Sequence, residues 1–85
     1  MIKYIYVSKN KLSGNFNTPM LHDFPKEAAS EAFAISAKEA PNDSQIKELE
    51  IYYLGTFDTK TAEIKEEKEF LIDLGTVVNG KEEVK

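Results

Sequence analysis

The chain contains no cysteine, no tryptophan and no arginine, and it has a single histidine, His22. Without cysteine it forms neither a disulfide nor a thiolate metal site. His22 has no second imidazole or thiolate with which to complete a usual zinc site. Arginine is the side chain best suited to reading guanine and phosphate through paired hydrogen bonds, so its absence argues against base-specific duplex recognition. An AT-rich coding sequence, which favours lysine codons, is an alternative explanation for that absence.

Long apolar segments are also missing. No apolar run approaches the roughly 20 residues that a membrane-spanning helix needs. The N-terminal segment has one lysine before a short apolar run, and it lacks the longer apolar region and cleavage site of a signal peptide. We therefore expect no membrane association and a cytoplasmic location.

The composition is that of one small folded domain. The chain has 85 residues, of which 41% are hydrophobic and 31% are charged, and its net charge is −4. The first 22 residues carry Lys3, Lys9 and Lys11 but no acidic residue, whereas all 15 acidic residues follow from Asp23 onward. A local positive end is therefore expected on an acidic protein.

The hydrophobic periodicity predicts an α+β fold, with a four- to five-stranded antiparallel sheet and one long helix packed on one face. The expected domain covers residues 1–75, and residues 76–85 form a polar, frayed tail. A weaker extended segment containing Pro19 is expected to form an edge hairpin with the first strand. The predicted strands cover residues 2–8, 16–21, 49–57, 63–65 and 70–74.

The long helix is predicted over residues 23–40. Asp23 is placed at its N-cap and Pro25 in its first turn, where the missing N–H has no partner to lose. Pro41 ends it. Phe33 is expected to be the main anchor on an inner, mostly small-residue side comprising Ala28, Ala29, Ala32, Phe33, Ile35 and Ser36.

Alternation along the strands predicts which side chains face the helix. The inward set is expected to contain Ile5, Val7, Leu49, Ile51, Tyr53, Phe57, Phe70, Ile72 and Leu74. The face that the helix does not cover is called the open face. It is expected to display Tyr4, Tyr6, Tyr52, Leu54 and Leu71, with Lys65 beside them.

Three tyrosines on an open sheet face suggest a surface on which unpaired bases stack. Because phosphate attraction is weak on an acidic chain, we expect single-stranded DNA to be preferred over duplex. The residues predicted to bind nucleic acid are Lys3, Tyr4, Tyr6, Lys9, Lys11 and Tyr52. A second subunit or a loop covering this apolar face is the competing interpretation, and a homodimer is expected because the core of so short a chain is small.

No pattern indicates catalysis, so we expect neither an enzyme nor a bound cofactor or metal. His22 is interpreted as a satisfied or solvent-facing side chain. Asp58, Thr59 and Thr61 match no calcium loop and are typical of a turn. Gly55, alone inside a strand, predicts a bulge or a close backbone approach.

Two segments, Met1–Val7 and Ile51–Thr61, resemble the small non-structural protein of gokushoviruses, which are single-stranded-DNA bacteriophages of the microvirus family. The similarity extends in layout over about residues 1–75, although Ala62 stands where such proteins often carry glycine. The resemblance implies a non-enzymatic accessory protein in the bacterial cytoplasm that binds single-stranded DNA during viral genome replication or packaging. The alternative is a protein–protein interaction factor acting on a replication, capsid or host protein.

Overall fold

The computed structural model describes residues 1–39 and 46–77. Its strands are β1 (Ile2–Asn10), β2 (Met20–His22), β3 (Leu49–Asp58) and β4 (Ile64–Asp73); helix α1 spans Lys26–Lys38, and a short 3-10 helix spans Ile46–Glu48. The strands form one antiparallel sheet in the order β2-β1-β3-β4, and α1 packs on one face. The predicted α+β class is therefore confirmed. In the described part of the chain, no helix is long and apolar enough to span a membrane.

Helix α1 is shorter than predicted, with 13 residues in place of a span from residue 23 to 40. Pro25 is its N-cap, in an extended conformation, and no side chain caps the first turn. Proline suits this position because its absent N–H needs no partner and its ring restrains the entry of the chain. Asp23 instead forms an ion pair with Lys3 across β1 and β2. The expected stop at Pro41 lies outside the described residues.

The predicted N-terminal hairpin is confirmed. β2 pairs antiparallel with β1, with His22 opposite Tyr4, and an isolated bridge joins Phe16 to Lys9 further along the same edge. Pro19 precedes β2, where it removes no hydrogen bond from the sheet.

β4 is one strand, although two were predicted at residues 63–65 and 70–74. The intervening residues 66–69 are all charged and all exposed. Because β4 is an edge strand, its side chains need not alternate between polar and apolar to be stable there. Within residues 1–39 and 46–77 the sheet therefore has four strands.

A bulge interrupts β3 at Leu54 and Gly55, as the isolated glycine predicted. Ile5 pairs with Gly55 and Tyr6 pairs with Tyr53, so Leu54 is an extra residue in β3 relative to β1. Gly55 has φ of 135°, a conformation that glycine adopts far more readily than other residues. The bulge reverses the facing of β3 beyond it, so Phe57 lies opposite Lys3 on the open face and not inward as predicted.

The core lies between the sheet and α1. Its buried residues are Tyr6, Ala29, Ala37, Ile51, Tyr53 and Leu74, and Phe33 packs against them. The ring of Phe33 meets Tyr6 edge-on at 5.5 Å, so its predicted role as anchor is confirmed. Ala29, Phe33 and Ala37 are spaced four residues apart and form one stripe. Three residues that were predicted on the inner side are exposed: Ala28, Ser36 and Ile35, the last at 47%.

The predicted facing of β1 is wrong. Tyr6 is fully buried on the helix side, and Tyr4 packs against the same core. Ile5 and Val7 consequently occupy the open face, where Val7 borders a groove with Leu54. Both alternating sets of β1 are apolar, so periodicity cannot distinguish the side that α1 covers.

Two facing predictions for β4 are also corrected. Leu71 packs against the core instead of facing outward. Lys65 lies in line with Thr56 and Tyr4 on the helix side, because residues paired across neighbouring strands share a face.

Candidate nucleic-acid interface

Three aromatic rings adjoin one another on the open face. Tyr52 lies on β3, Phe70 is its cross-strand partner on β4, and Phe16 belongs to the segment that bridges to β1. The Tyr52 ring meets Phe16 at 5.4 Å and Phe70 at 5.5 Å, in both cases nearly edge-to-face. Phe16 and Phe70 are 44% and 50% exposed, so their rings are accessible to a ligand.

Two lysines lie over these rings. The Lys68 ammonium is 5.0 Å from the ring centre of Phe16 and 5.7 Å from that of Tyr52. The Lys9 ammonium is 5.5 Å from the Phe16 ring centre. These distances are within the range of cation–π attraction. We call Phe16, Tyr52, Phe70, Lys9 and Lys68 the aromatic–lysine cluster.

The surface around the cluster is grooved. One depression of about 200 Å³ is lined by Val7, Phe16, Asn17, Pro19, Leu54 and Lys68. A second, of about 500 Å³, is lined by Ile5, Leu54, Ile64, Glu66 and Lys68. Leu54 and Lys68 line both depressions, so the Lys68 side chain separates the two on the open face. Leu54 lies on this face by the same alternation as Tyr52.

The electrostatic character of this face is mixed. Glu50 lies opposite Lys9 on β3, and its carboxylate accepts a long hydrogen bond of 3.5 Å from the Tyr52 hydroxyl. Glu66 borders the larger depression. The two cluster lysines therefore offer point charges beside carboxylates, so this face is not uniformly positive.

Two of the six residues predicted to bind nucleic acid belong to the cluster. Tyr52 lies at its centre and Lys9 at its margin. Lys3 is also at the open face but is paired with Asp23. Lys11 lies 2.8 Å from the carboxylate of Asp73, so it is engaged in an ion pair near the end of β4.

Tyr4 and Tyr6 are not part of the cluster. The Tyr6 ring stacks on Phe24 at 5.3 Å, and its hydroxyl donates a hydrogen bond of 2.7 Å to the Phe24 carbonyl oxygen. With no accessible surface, Tyr6 cannot present a ring to a base, which corrects its predicted role. Burial raises the pKa of Tyr6 to about 12, because the phenolate would lose its hydration.

Sequence reasoning missed Phe16, Lys68 and Phe70. Lys68 lies in the run of charged residues between the two strands that were predicted at residues 63–65 and 70–74. Phe70 was placed inward because it begins an apolar stretch. Reading β4 as one strand would have located both, since Ile64, Glu66, Lys68 and Phe70 alternate onto one face. Phe16 had no comparable signal, because its contact with Tyr52 depends on the bridge that joins its segment to Lys9 of β1.

No metal site is visible in the described parts of the chain, which contain no cluster of three histidine or acidic side chains. His22 packs among aromatic rings, 4.6 Å from the ring centre of Phe24. The residue is half-buried, and its Nε2 atom is buried and has no hydrogen-bond partner within residues 1–39 and 46–77. Asp58 accepts a hydrogen bond from the Lys60 N–H and shapes the β3–β4 turn, as predicted.

Comparisons of the chain with protein-family models, with curated proteins and with solved structures found no match.

Proposed function

We propose that this protein binds single-stranded DNA through the aromatic–lysine cluster. The observation that carries the proposal is the position of Lys9 and Lys68 over accessible aromatic rings on the open face. Aromatic rings bind bases without regard to sequence, and adjacent lysines contact the phosphates that connect them. The resemblance of residues 1–7 and 51–61 to gokushovirus non-structural proteins supports a non-enzymatic phage accessory role. That role would be in genome replication or packaging in the bacterial cytoplasm.

Binding at this surface requires Lys68 to move. Its ammonium lies over the rings of Phe16 and Tyr52, which is the place a stacked base would occupy. A base entering there displaces the ammonium toward the neighbouring phosphate, so a cation–π contact is exchanged for an ion pair. Lys9, whose ammonium is 5.5 Å from the Phe16 ring centre, contacts a second phosphate.

The expected selectivity follows from the charge of the chain. A net charge of −4 opposes general attraction to phosphate, and duplex DNA hides the base faces on which stacking depends. Each phosphate neutralised on a single strand contributes about −0.7 to the slope of log affinity against log salt, so two lysines give about −1.4. Single strands are therefore bound in preference to duplex, with a shallow dependence on salt.

The test is a fluorescence-anisotropy titration of labelled single- and double-stranded oligonucleotides at two salt concentrations. Tyr52→Ala and Phe16→Ala are expected to weaken single-strand binding about 5- to 150-fold, the loss of one stacked base. Tyr52→Phe should preserve binding, because it keeps the ring. Leu21→Ala, which truncates a 55% exposed side chain outside the cluster, is the matched control and should have no effect.

A second pair of variants tests the lysines. Lys68→Gln should weaken binding and flatten the salt slope, whereas Lys60→Gln in the exposed β3–β4 turn should change neither. Equal or tighter binding of duplex, or no binding to single strands at low salt, would eliminate the proposal.

A protein–protein interaction factor is the second candidate function. It is favoured by the acidic net charge and by apolar side chains left exposed on the sheet, including Ile64 at 63%. The partner would be a replication, capsid or host protein. If single-stranded DNA does not bind at low salt, the exposed rings of the cluster become the contact surface for such a partner.

A further inference from the structure

β4 is an edge strand whose exposed side chains alternate between the two faces of the sheet. It lies at the end of the sheet, and residues 64–70 are all exposed. Lys68 and Phe70 contact Tyr52 on the open face, whereas Glu67 and Glu69 bind Lys26 of α1 on the other. Residues 64, 66, 68 and 70 therefore lie on the open face, and residues 65, 67 and 69 lie on the helix side.

An edge strand of this length presents a row of backbone N–H and C=O groups that can pair with another strand. Proteins usually protect such edges with charged side chains, proline, a bulge or a covering loop. β4 carries charges, and its pairing with β3 shifts register between Glu66 and Glu69, but the charges are of both signs and can pair with opposite charges on another strand. Residues 64–70 contain no proline, and among the described residues the sheet order leaves the outer side of β4 without a neighbouring strand. The backbone groups on that side are thus available to a partner strand.

The side chains of this segment complement themselves when two copies run antiparallel. With Glu67 on a two-fold axis, Ile64 faces Phe70, Lys65 faces Glu69, and Glu66 faces Lys68. Each pair occurs twice, so the interface combines two apolar contacts with four oppositely charged pairs. The Ile64–Phe70 and Glu66–Lys68 pairs lie on the open face, and the Lys65–Glu69 pairs lie on the helix side.

Neighbouring registers lack this complementarity. The axis of a symmetric antiparallel pair passes through one residue of each copy, and it can be moved along the strand only one residue at a time. Placing it at Glu66 sets Lys68 against Ile64 and Glu66 against itself. Placing it at Lys68 sets Lys68 against itself and Glu67 against Glu69.

We infer that β4 pairs with β4 of a second copy of this chain, antiparallel and in the register centred on Glu67. The two four-stranded sheets then form one continuous sheet of eight strands. The two Glu67 carboxylates meet at the axis, and each is partly neutralised by the Lys26 ammonium of its own chain, 3.4 Å away. Both aromatic–lysine clusters lie on the same face of this sheet. The pairing does not depend on DNA binding and is tested without it.

The first test is the mass of the protein in solution by light scattering across the micromolar range. The wild-type chain should give twice the 9.6 kDa mass of the monomer. Glu66→Lys or Lys68→Glu alone places like charges opposite each other and should yield monomers, whereas the double variant E66K/K68E restores opposite charges and should restore the dimer. Lys60→Glu makes the same charge change outside the strand and should leave the dimer intact.

The second test fixes the register. Directly opposite residues on paired antiparallel strands have Cβ atoms about 4.5–5.5 Å apart, close enough for a disulfide after a small adjustment. Since the chain has no cysteine, Glu67→Cys should form a single intermolecular disulfide rapidly under mild oxidation. Glu66→Cys and Lys68→Cys should cross-link much more slowly, because their sulfurs face other residues.

Circular dichroism of every variant establishes that it is folded. A folded wild-type monomer at high micromolar concentration would overturn the inference. So would cross-linking of Glu66→Cys or Lys68→Cys at the rate of Glu67→Cys, or a double variant as monomeric as the single ones.

Discussion

Gly55 lies directly against the backbone of Lys65 on the adjacent strand, and a Cβ atom at Gly55 would come 1.9 Å from the Lys65 carbonyl oxygen. No side-chain movement relieves such a contact, because the obstructing atoms belong to the main chain. The glycine thus permits β3 and β4 to approach at the bulge, and the pairing of these strands sets Lys68 and Phe70 beside Tyr52. The geometry of the candidate interface depends on this residue.

Gly55→Ala is predicted to destabilise the protein severely. The φ of 135° alone costs about 1–3 kcal/mol for a residue other than glycine, and the contact with Lys65 adds to it. Chemical denaturation should show a lower midpoint or an unfolded chain. Gly14→Ala is the matched control: it also has positive φ, at 78°, but meets nothing within 4 Å. It should cost only about 1–2 kcal/mol, and an equal loss from both variants would contradict the steric account.

Stability is predicted to fall at alkaline pH because Tyr6 is buried. Its pKa is raised to about 12 in the folded protein, whereas an unfolded tyrosine titrates near its ordinary value of 10.0. The unfolded chain therefore releases this proton at lower pH. The stabilisation is complete below about pH 10 and is lost as the pH rises toward about 12. Urea denaturation at a series of pH values up to about 12 would reveal this decline, and an unchanged free energy of unfolding would contradict it.

Tyr6→Phe is predicted to reduce that alkaline decline and to lower stability at neutral pH. The substitution removes the 2.7 Å hydrogen bond to the Phe24 carbonyl, at a cost of about 1 kcal/mol. Part of the pH dependence should remain, because burial also raises the pKa of Tyr53. Tyr4→Phe is the control, since the Tyr4 hydroxyl makes no hydrogen bond within the described residues. Its denaturation midpoint should match that of the wild type.

Ala62→Gly is predicted to stabilise the β3–β4 turn. Ala62 has φ of 63°, in the left-handed region, and its N–H donates to the Asp58 carbonyl oxygen. Glycine removes the backbone strain of about 1–2 kcal/mol that alanine has in this conformation. Because the unfolded chain is more flexible with glycine, part of this is lost, and the free energy of unfolding is expected to rise by about 0.5–1 kcal/mol. Thermal denaturation should show a higher Tm. Ala28→Gly, on the exposed side of α1, should lower it, and a fall in both variants would contradict the prediction.

The secondary structure was largely accessible from local patterns. The β-branched and aromatic runs identified β1 and β3, and the lone Gly55 identified the bulge. Pro25 indicated where the helix enters, although Asp23 does not cap it. β4 was divided in two because its exposed residues 66–69 carry charges, a composition that an edge strand tolerates and that periodicity does not reveal.

The candidate interface was only partly accessible in the same way. Tyr52 and Lys9 were found because the alternation of β3 and the basic N-terminal segment are local features. Phe16 and Lys68 join them through the bridge to β1 and the pairing of β3 with β4, which connect residues far apart in the sequence.

The sequence by itself determined that this chain has an α+β fold with an antiparallel sheet and an amphipathic helix, since those depend on local periodicity and turn chemistry. Only the tertiary structure decided which face of β1 is covered. Ile5 and Val7 suit a core as well as Tyr4 and Tyr6 do, so their apolar character does not distinguish the two sides. The outcome depends on the aromatic pocket of His22, Phe24 and Phe33, which encloses the Tyr6 ring and supplies a carbonyl acceptor for its hydroxyl.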